Sequence, residues 1–214
     1  FIQKKIQRKL IDFYGDGAYP LNYPNEYDKV KKFTGSGIWI HGTPKSTYSR
    51  APEASDGCIV LSNTDLVEIE NILNTTGTPI ILSNISIAKL SLRSDEDIKE
   101  DQKHILNLIN KWKESWVSAN YIEFIKFYDN NAMYNNSDFK KWTRTKKIVF
   151  KKSKGIKIFL SNISIYEYPS KDEQLRIVLF DQDYASNLIK NTVRKKQIWK
   201  VENEEWKIIY EGTE

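Results

Sequence analysis

Cysteine and histidine are scarce. A single cysteine, Cys58, excludes an intramolecular disulfide and any cysteine-rich zinc site. Two histidines, His41 and His104, leave nothing for a histidine-based metal cluster, so the expectation is a protein with no metal and no cofactor. Few side chains remain that could move protons near pH 7. Long apolar runs are missing as well. Stretches such as Ile59-Val60-Leu61 and Ile177-Val178-Leu179-Phe180 are far too short to cross a bilayer. Glycine and proline fade along the chain: seven of nine glycines lie at or before Gly77, and five of six prolines at or before Pro79.

What is present fits a folded chain. Of 214 residues, 40% are hydrophobic and 13% aromatic, more core material than a disordered chain carries. The net charge of +5 favours an anionic partner such as nucleic acid, an acidic glycan or a membrane surface. Five of the six tryptophans lie at or after Trp112, so a turn-rich first part is followed by a part rich in aromatic anchors. Between them Ser94-Asp95-Glu96-Asp97 has the pattern of a helix-opening capping box. This places a boundary between domains 1–93 and 94–214.

In the second domain Ile98, Ile105, Leu108, Ile109, Trp112 and Trp116 form one stripe of an amphipathic helix. A second helix is predicted over 120–129, where Ile122, Ile125 and Tyr128 recur every three residues. After Trp142 the period reads as two. Ile148 and Phe150 predict a strand, and Ile156, Ile158 and Leu160 the next one. Pro169-Ser170-Lys171-Asp172 reads as a turn, and strands are predicted at 175–184, 193–201 and 206–210. Helices followed by an antiparallel meander make an α+β domain.

The first domain reads as mostly β. Gly37-Ile38-Trp39-Ile40 predicts a buried strand ending at His41. A short helix capped by Ser62 or Asn63 presents Leu66, Ile69, Ile72 and Leu73 on one face. Gly77 and Pro79 stop it, and Pro79-Ile80-Ile81-Leu82 begins another strand.

One pair of motifs carries chemistry. His41-Gly42-Thr43 precedes Ser55-Asp56-Gly57-Cys58. A free thiol is mostly protonated at pH 7, yet thiolate is the nucleophile. A neighbouring imidazole can take that proton and return it to a leaving amine. If adjacent, the two titrate as a pair, with the thiol falling below about 8.5 and the imidazole rising above about 6.5. Gly57 leaves the backbone free to turn N–H groups toward a developing oxyanion. The alternative reading is a lone cysteine serving as a small buried hydrophobe. Its place after a Ser-Asp-Gly turn argues against that.

Ile40-His41-Gly42-Thr43 followed by Ser55-Asp56-Gly57-Cys58-Ile59 resembles the His-Gly-Thr and Ser-x-Gly-Cys motifs of L,D-transpeptidases with the YkuD-type catalytic domain. The runs from Tyr14 to Asn25 and from Gly35 to Ile40 resemble the Gram-negative branch of that family. Trp116, Phe124, Tyr128, Trp142, Arg144, Phe180, Gln182, Tyr184, Ser186, Trp206 and Ile208 carry a resemblance to the nuclear-transport-factor-2-like (SnoaL-like) domain appended to some of these enzymes. The combination resembles the cell-shape-determining L,D-transpeptidases and L,D-carboxypeptidases of curved and helical Gram-negative rods. The resemblance implies a YkuD-like β-sandwich that begins inside the catalytic domain, without its first strands. It implies a second domain of helices packed on a curved antiparallel sheet.

The implied reaction is attack of Cys58 on the meso-diaminopimelate carbonyl of a peptidoglycan tetrapeptide stem. D-alanine leaves, and the thioester passes to an amine or to water. His41 would be base and then acid, oriented by the Gly42 carbonyl, while Trp39, Ser55, Asp56 and Gly57 line the substrate site. Periplasmic location is implied. Many members carry His at the position of Asp56 and Arg at that of Val60, and the loss of that cation implies a change in how the stem carboxylate is held.

Other signals weigh less. Lys140, Lys141, Arg144, Lys146, Lys147, Lys151, Lys152, Lys154 and Lys157 flank the hairpin predicted from the strands at Ile148 and Ile156 and read first as solvated strand faces. An anionic wall glycan at the second domain is the next reading. Nucleic acid is not expected, because no recognition motif accompanies the charge. Trp142, Arg144, Gln182 and Tyr184 are candidates to line a pocket in the second domain. His104 reads as helix surface. The competing function is an inert chain that binds cell wall or glycan through the second domain.

Overall fold

The computed structural model describes residues 1–6, 10–51, 54–73, 77–82, 93–131, 133–134, 137–168 and 173–213. The chain divides into two compact units, Phe1–Leu82 and Ser83–Glu214. Residues 83–92, and the turn expected at 169–172, lie outside the described residues.

In the first unit β1 (Ala18–Pro20) pairs antiparallel with β2 (Trp39–His41), and β2 pairs parallel with β3 (Ile59–Val60). Helix α1 (Glu26–Val30) links β1 to β2 and opens on a capping box between Asn25 and Asp28. Helix α2 (Asn63–Glu70) follows β3, with the Ser62 hydroxyl accepting from the Asp65 N–H at 3.1 Å. Ile2, Tyr19, Ile40 and Leu66 form a small core, with Ile59 and Ile69 packed against it. Helix α2 ends at Glu70, well short of Gly77, and Ile72 is exposed instead of continuing its apolar face. No strand forms at Pro79-Ile80-Ile81-Leu82. Proline has no N–H to donate to a ladder, and Ile81 and Leu82 are exposed.

In the second unit α3 (Asp95–Val117) is N-capped by Ser94, whose hydroxyl accepts from the Asp97 N–H. Ile105, Ile109, Trp112 and Trp116 are buried on its inner stripe, while Ile98 is exposed. Helix α4 (Tyr121–Lys126) is shorter than the 120–129 pattern predicts. Its continuation is drawn into the sheet: the Ile208 N–H donates to Phe127 O and the Asp129 N–H to Ile208 O, at 2.6 and 2.9 Å. The short strands β4 (Met133–Tyr134) and β5 (Ser137–Asp138) pair before α5 (Phe139–Lys152).

Helix α5 replaces the strand expected at Ile148 and Phe150. Phe139, Trp142, Lys146, Val149 and Phe150 fall at helical spacing, and Asp138 caps the helix by accepting from the Lys141 N–H at 2.7 Å. Ile148 faces solvent. The basic series therefore lies mostly on the outer face of a helix. Strands β6 (Lys157–Tyr168), β7 (Leu175–Ala185), β8 (Lys190–Glu202) and β9 (Glu205–Thr213) form an antiparallel meander in sequence order. Bulges between Ser161 and Ser164 and at Ile198/Trp199 interrupt the ladders. Rings of Trp112, Trp116, Phe124, Tyr128, Trp142 and Phe180 fill the space between helices and sheet. Among the described residues, no helix is long and apolar enough to cross a membrane.

Candidate active site

Strand β2 delivers His41 and the segment entering β3 delivers Cys58. The parallel register sets Ile40 beside Ile59 and His41 beside Val60. One step back along the ladder places Cys58 beside Trp39. Side chains two residues apart share a face, so Cys58 and His41 point to the same side of the sheet. A rise of about 3.3 Å per residue and a strand spacing of about 4.8 Å put their Cα atoms about 8 Å apart, a span the two side chains can close.

His41 is buried, and its Nδ1 lies 2.7 Å from the Gly42 carbonyl oxygen. A carbonyl only accepts, so Nδ1 carries the proton and Nε2 is the basic nitrogen. The Tyr14 ring stands edge-on to the imidazole at 5.2 Å, and the Phe13 ring is tilted against it at 5.8 Å. Tyr14 also packs on Trp39 at 5.2 Å. Burial is the main influence on the imidazole and lowers its pKa below 6.5. The Gly42 bond opposes that, and the positive charge of Arg50 reinforces it. This reverses the expectation of a histidine raised by a neighbouring thiolate. His41 is held neutral, the form in which it accepts a proton.

Cys58 is half-buried, with its thiol directed at the Gly37 carbonyl at 3.7 Å. The Ser55 hydroxyl donates to the Cys58 carbonyl at 2.6 Å and closes the turn ahead of the cysteine. Gly57 takes φ of 110°, a region that side chains rarely enter, and a Cβ there would meet Ile38. Asp56 is exposed on the same turn. Sequence reasoning offered Asn63 only as a helix cap and did not single out Phe13 or Arg50. Asn63 accepts from the Asp16 N–H at 3.1 Å and donates to Thr43 O at 2.9 Å, tying the start of α2 to the backbone that enters β1 and to the backbone just after the histidine. Any Cβ on Gly42 or Gly15 would collide with Asn63 Oδ1. An Asn at a helix start gives no hint of so distant a partner. Among the described residues no three His, Cys, Asp or Glu side chains gather as metal ligands.

The second unit has a cavity of about 290 Å³. Gln182 and Tyr184 line it, together with Trp116, Lys146, Lys195 and Glu211. Trp142 and Arg144 do not. With α5 a helix, Trp142 turns into the core and Arg144 points to solvent. Glu211 is buried and accepts from Lys195 Nζ at 2.8 Å, Gln197 Nε2 at 2.9 Å and the Tyr128 hydroxyl at 2.7 Å. Burial alone would raise its pKa, but Lys195 and Lys146 outweigh burial and hold it at about 2. Burial pushes Lys146 down to about 8, against the pull of Glu211. The Lys146 ammonium stands 4.3 Å over the Trp116 ring. A wider groove of about 980 Å³ runs past His104, Phe127 and Trp206. His104 is exposed at its rim.

Residues 2–82 match the YkuD family, the L,D-transpeptidase catalytic domain. Residues 104–212, just over half of the chain, match the Cds6 C-terminal NTF2-like domain family. No curated protein matches the sequence. Among solved structures, Bd1075 of Bdellovibrio bacteriovorus superposes with a TM-score of 0.79 at 25% identity, covering 100% of this chain and 77% of its own. The helical cell shape determining protein Pgp2 of Campylobacter jejuni gives 0.72 at 25% identity, covering 99% and 72%. The chain belongs to the Cds6 C-terminal NTF2-like family and carries that domain behind an L,D-transpeptidase-family catalytic domain.

Proposed function

We propose that the protein is a peptidoglycan-modifying cysteine acyltransferase of the periplasm, acting on tetrapeptide stems and contributing to cell shape. The observation that carries this reading is the His41–Gly42 bond, which leaves Nε2 basic on the face that Cys58 shares. The Cys58 thiol gives its proton to Nε2, and the sulfur attacks the meso-diaminopimelate carbonyl carbon. Backbone N–H groups at Gly57 and Cys58 steady the oxyanion. The intermediate collapses with cleavage of the C–N bond, and Nε2–H protonates the departing D-alanine amine. An amine or water then attacks the thioester, giving its proton to His41 and restoring the thiol. The first outcome is L,D-transpeptidation and the second L,D-carboxypeptidation. Trp39, Ser55, Asp56 and Gly57 border the acyl site, and the domain boundary falls at 93/94.

Incubation with disaccharide-tetrapeptide and mass analysis of the products tests this. Loss of one D-alanine, with or without a cross-linked product, is expected. Cys58→Ser is expected to abolish it without unfolding the chain, because an alkoxide needs a stronger base than one imidazole provides. Unchanged substrate with the intact protein would contradict the reading.

One observation favours a second reading, a wall-binding role for the NTF2-like domain. Its 290 Å³ cavity holds two ammonium groups, Lys146 and Lys195, against the single carboxylate of Glu211, beside the rings of Trp116 and Tyr184. An excess cation among aromatic rings suits an anionic glycan. Sedimentation of the Cys58→Ser chain with purified sacculi separates the readings. Retention that survives loss of turnover, and is lost in Lys195→Met, supports the binding role.

A further inference from the structure

The surroundings of His41 include a cation that the acyl-transfer steps leave unused. Thr43 is buried directly after the His41–Gly42 pair, and its hydroxyl donates to Thr47 O at 2.7 Å, folding residues 43–50 back toward the turn Asp12–Tyr14. The Lys45 N–H reaches Asp12 Oδ1 at 3.4 Å. At the end of this loop the Arg50 guanidinium lies 4.2 Å from the centroid of Phe13, the ring that packs on His41. Among the described residues no carboxylate pairs with Arg50, which is half-buried. A planar, permanently charged fork, stacked on an aromatic face and without a counter-ion, is preorganised for a carboxylate.

The strand registers give it a direction. Cys58 stands beside Trp39, at the start of β2. The turn that carries Phe13 precedes β1, whose first residue Ala18 pairs with His41, and the Gly42 N–H donates to Tyr14 O at 3.1 Å. Phe13 and Arg50 therefore lie beyond His41, on the side away from Cys58. A stem whose scissile carbonyl meets Cys58 and whose departing amine meets His41 carries its last residue onward toward Arg50. In a tetrapeptide that residue ends in a free carboxylate. Val60, beside His41 in the register, offers no charge there.

We propose that Arg50 anchors the terminal carboxylate of the departing residue, so that the site selects stems with a free C-terminus and aims the leaving amine at His41. This rests on the acyl-transfer reading above. Arg50 is on this account a specificity-determining residue that touches substrate, not a proton carrier.

The test is calorimetric binding of tetrapeptide, with a free or an amidated C-terminus, to the full chain carrying Cys58→Ala. The free acid is expected to bind about ten- to one-hundredfold more tightly than the amide, the range for a charge-assisted hydrogen bond. Adding Arg50→Gln should bring the acid down to the level of the amide and leave the amide unchanged; Arg50→Lys should fall between. Thermal melting of each variant confirms folding. No preference in the parent, a preference that survives Arg50→Gln, or no binding at all overturns the proposal. The two readings fail separately. An Arg50-dependent preference without D-alanine release by the Cys58 protein sinks the acyl-transfer reading alone. D-alanine release with equal selectivity in Arg50→Gln sinks the anchor alone.

Discussion

His41 Nδ1 and the carbonyl oxygen of Gly42, the next residue along the chain, lie 2.7 Å apart, and this contact fixes which imidazole nitrogen is left basic. A histidine this buried, with a carbonyl on one nitrogen, has one tautomer available. The rings of Phe13 and Tyr14 hold its plane. On the acyl-transfer reading proposed above, the backbone at Gly42 would do the work that a buried carboxylate does in many nucleophile–base–orienter arrangements.

That role makes Gly42 intolerant of a side chain. The methyl of Gly42→Ala would strike Asn63 Oδ1, which also accepts from the Asp16 N–H. Overpacking of this kind costs about 1–3 kcal/mol, and a shifted carbonyl anchor should reduce D-alanine release about tenfold or more. Chemical denaturation and steady-state kinetics on Gly42→Ala check both. The Gly42→Ala/Asn63→Gly double variant should recover part of the stability, because the struck atom is gone. Wild-type behaviour in Gly42→Ala would mean that the loop moves aside freely.

The pH dependence follows from the lowered pKa of His41. The unfolded imidazole titrates near 6.5 and the folded one below it, so the unfolded chain binds the extra proton first. The contribution of His41 to stability is intact above 6.5 and is lost as pH falls from there toward the folded value. The acid limb of acylation should lie below 6.5 for the same reason. Arg50→Gln removes one of the charges holding the pKa down and should move that limb upward. His104→Asn, on an exposed site of α3, should leave it in place. A limb above 6.5 in the parent protein would contradict this account.

In the second unit the expected outcomes centre on Glu211. Removing its charge with Glu211→Gln leaves Lys195 and Lys146 without a counter-ion in a largely buried site. Breaking a buried pair this way costs about 3–5 kcal/mol, a fall of roughly 10–20 °C in melting temperature for a unit of this size. Glu211 titrates at about 2 when folded and near 4.5 when unfolded, so its contribution is present above 4.5 and fades as pH falls toward 2. Lys146 has the opposite balance. Its folded pKa of about 8 lies below the ordinary 10.5, so between pH 8 and 10.5 the unfolded chain holds a proton that the folded chain has released, and stability should rise with pH across that window. Unfolding curves across these two windows check both signs.

Local signals made much of this legible. The Ser94 cap, the α3 stripe from Ile105 to Trp116 and the β6–β9 meander follow from patterns spanning few residues. Two motifs and their resemblance to a known family pointed to His41 and Cys58, and the β2–β3 register sets both on one face of the sheet. Helix α5 was not, because Lys146 occupies an inward position and breaks the apolar stripe that Trp142, Val149 and Phe150 would otherwise complete. The β-branched Ile148 and Val149 beside Phe150 then read as a strand. Lys146 is inside because Glu211, 65 positions later, awaits it at 3.9 Å. Arg50 and Asn63 were illegible for a related reason. Their importance lies in partners, Phe13 and the backbone around His41, that adjoin them only once the chain has folded.

The central claim is that Cys58 forms a thioester with the stem after D-alanine has left. Intact-protein mass spectrometry of acid-quenched reactions with tetrapeptide, followed by peptide mapping, measures it directly. The account predicts a protein heavier by the stem minus D-alanine, with the adduct on the peptide that contains Cys58 and absent from Cys58→Ser. D-alanine release that persists in Cys58→Ser, or an adduct mapped to any other residue, would contradict it.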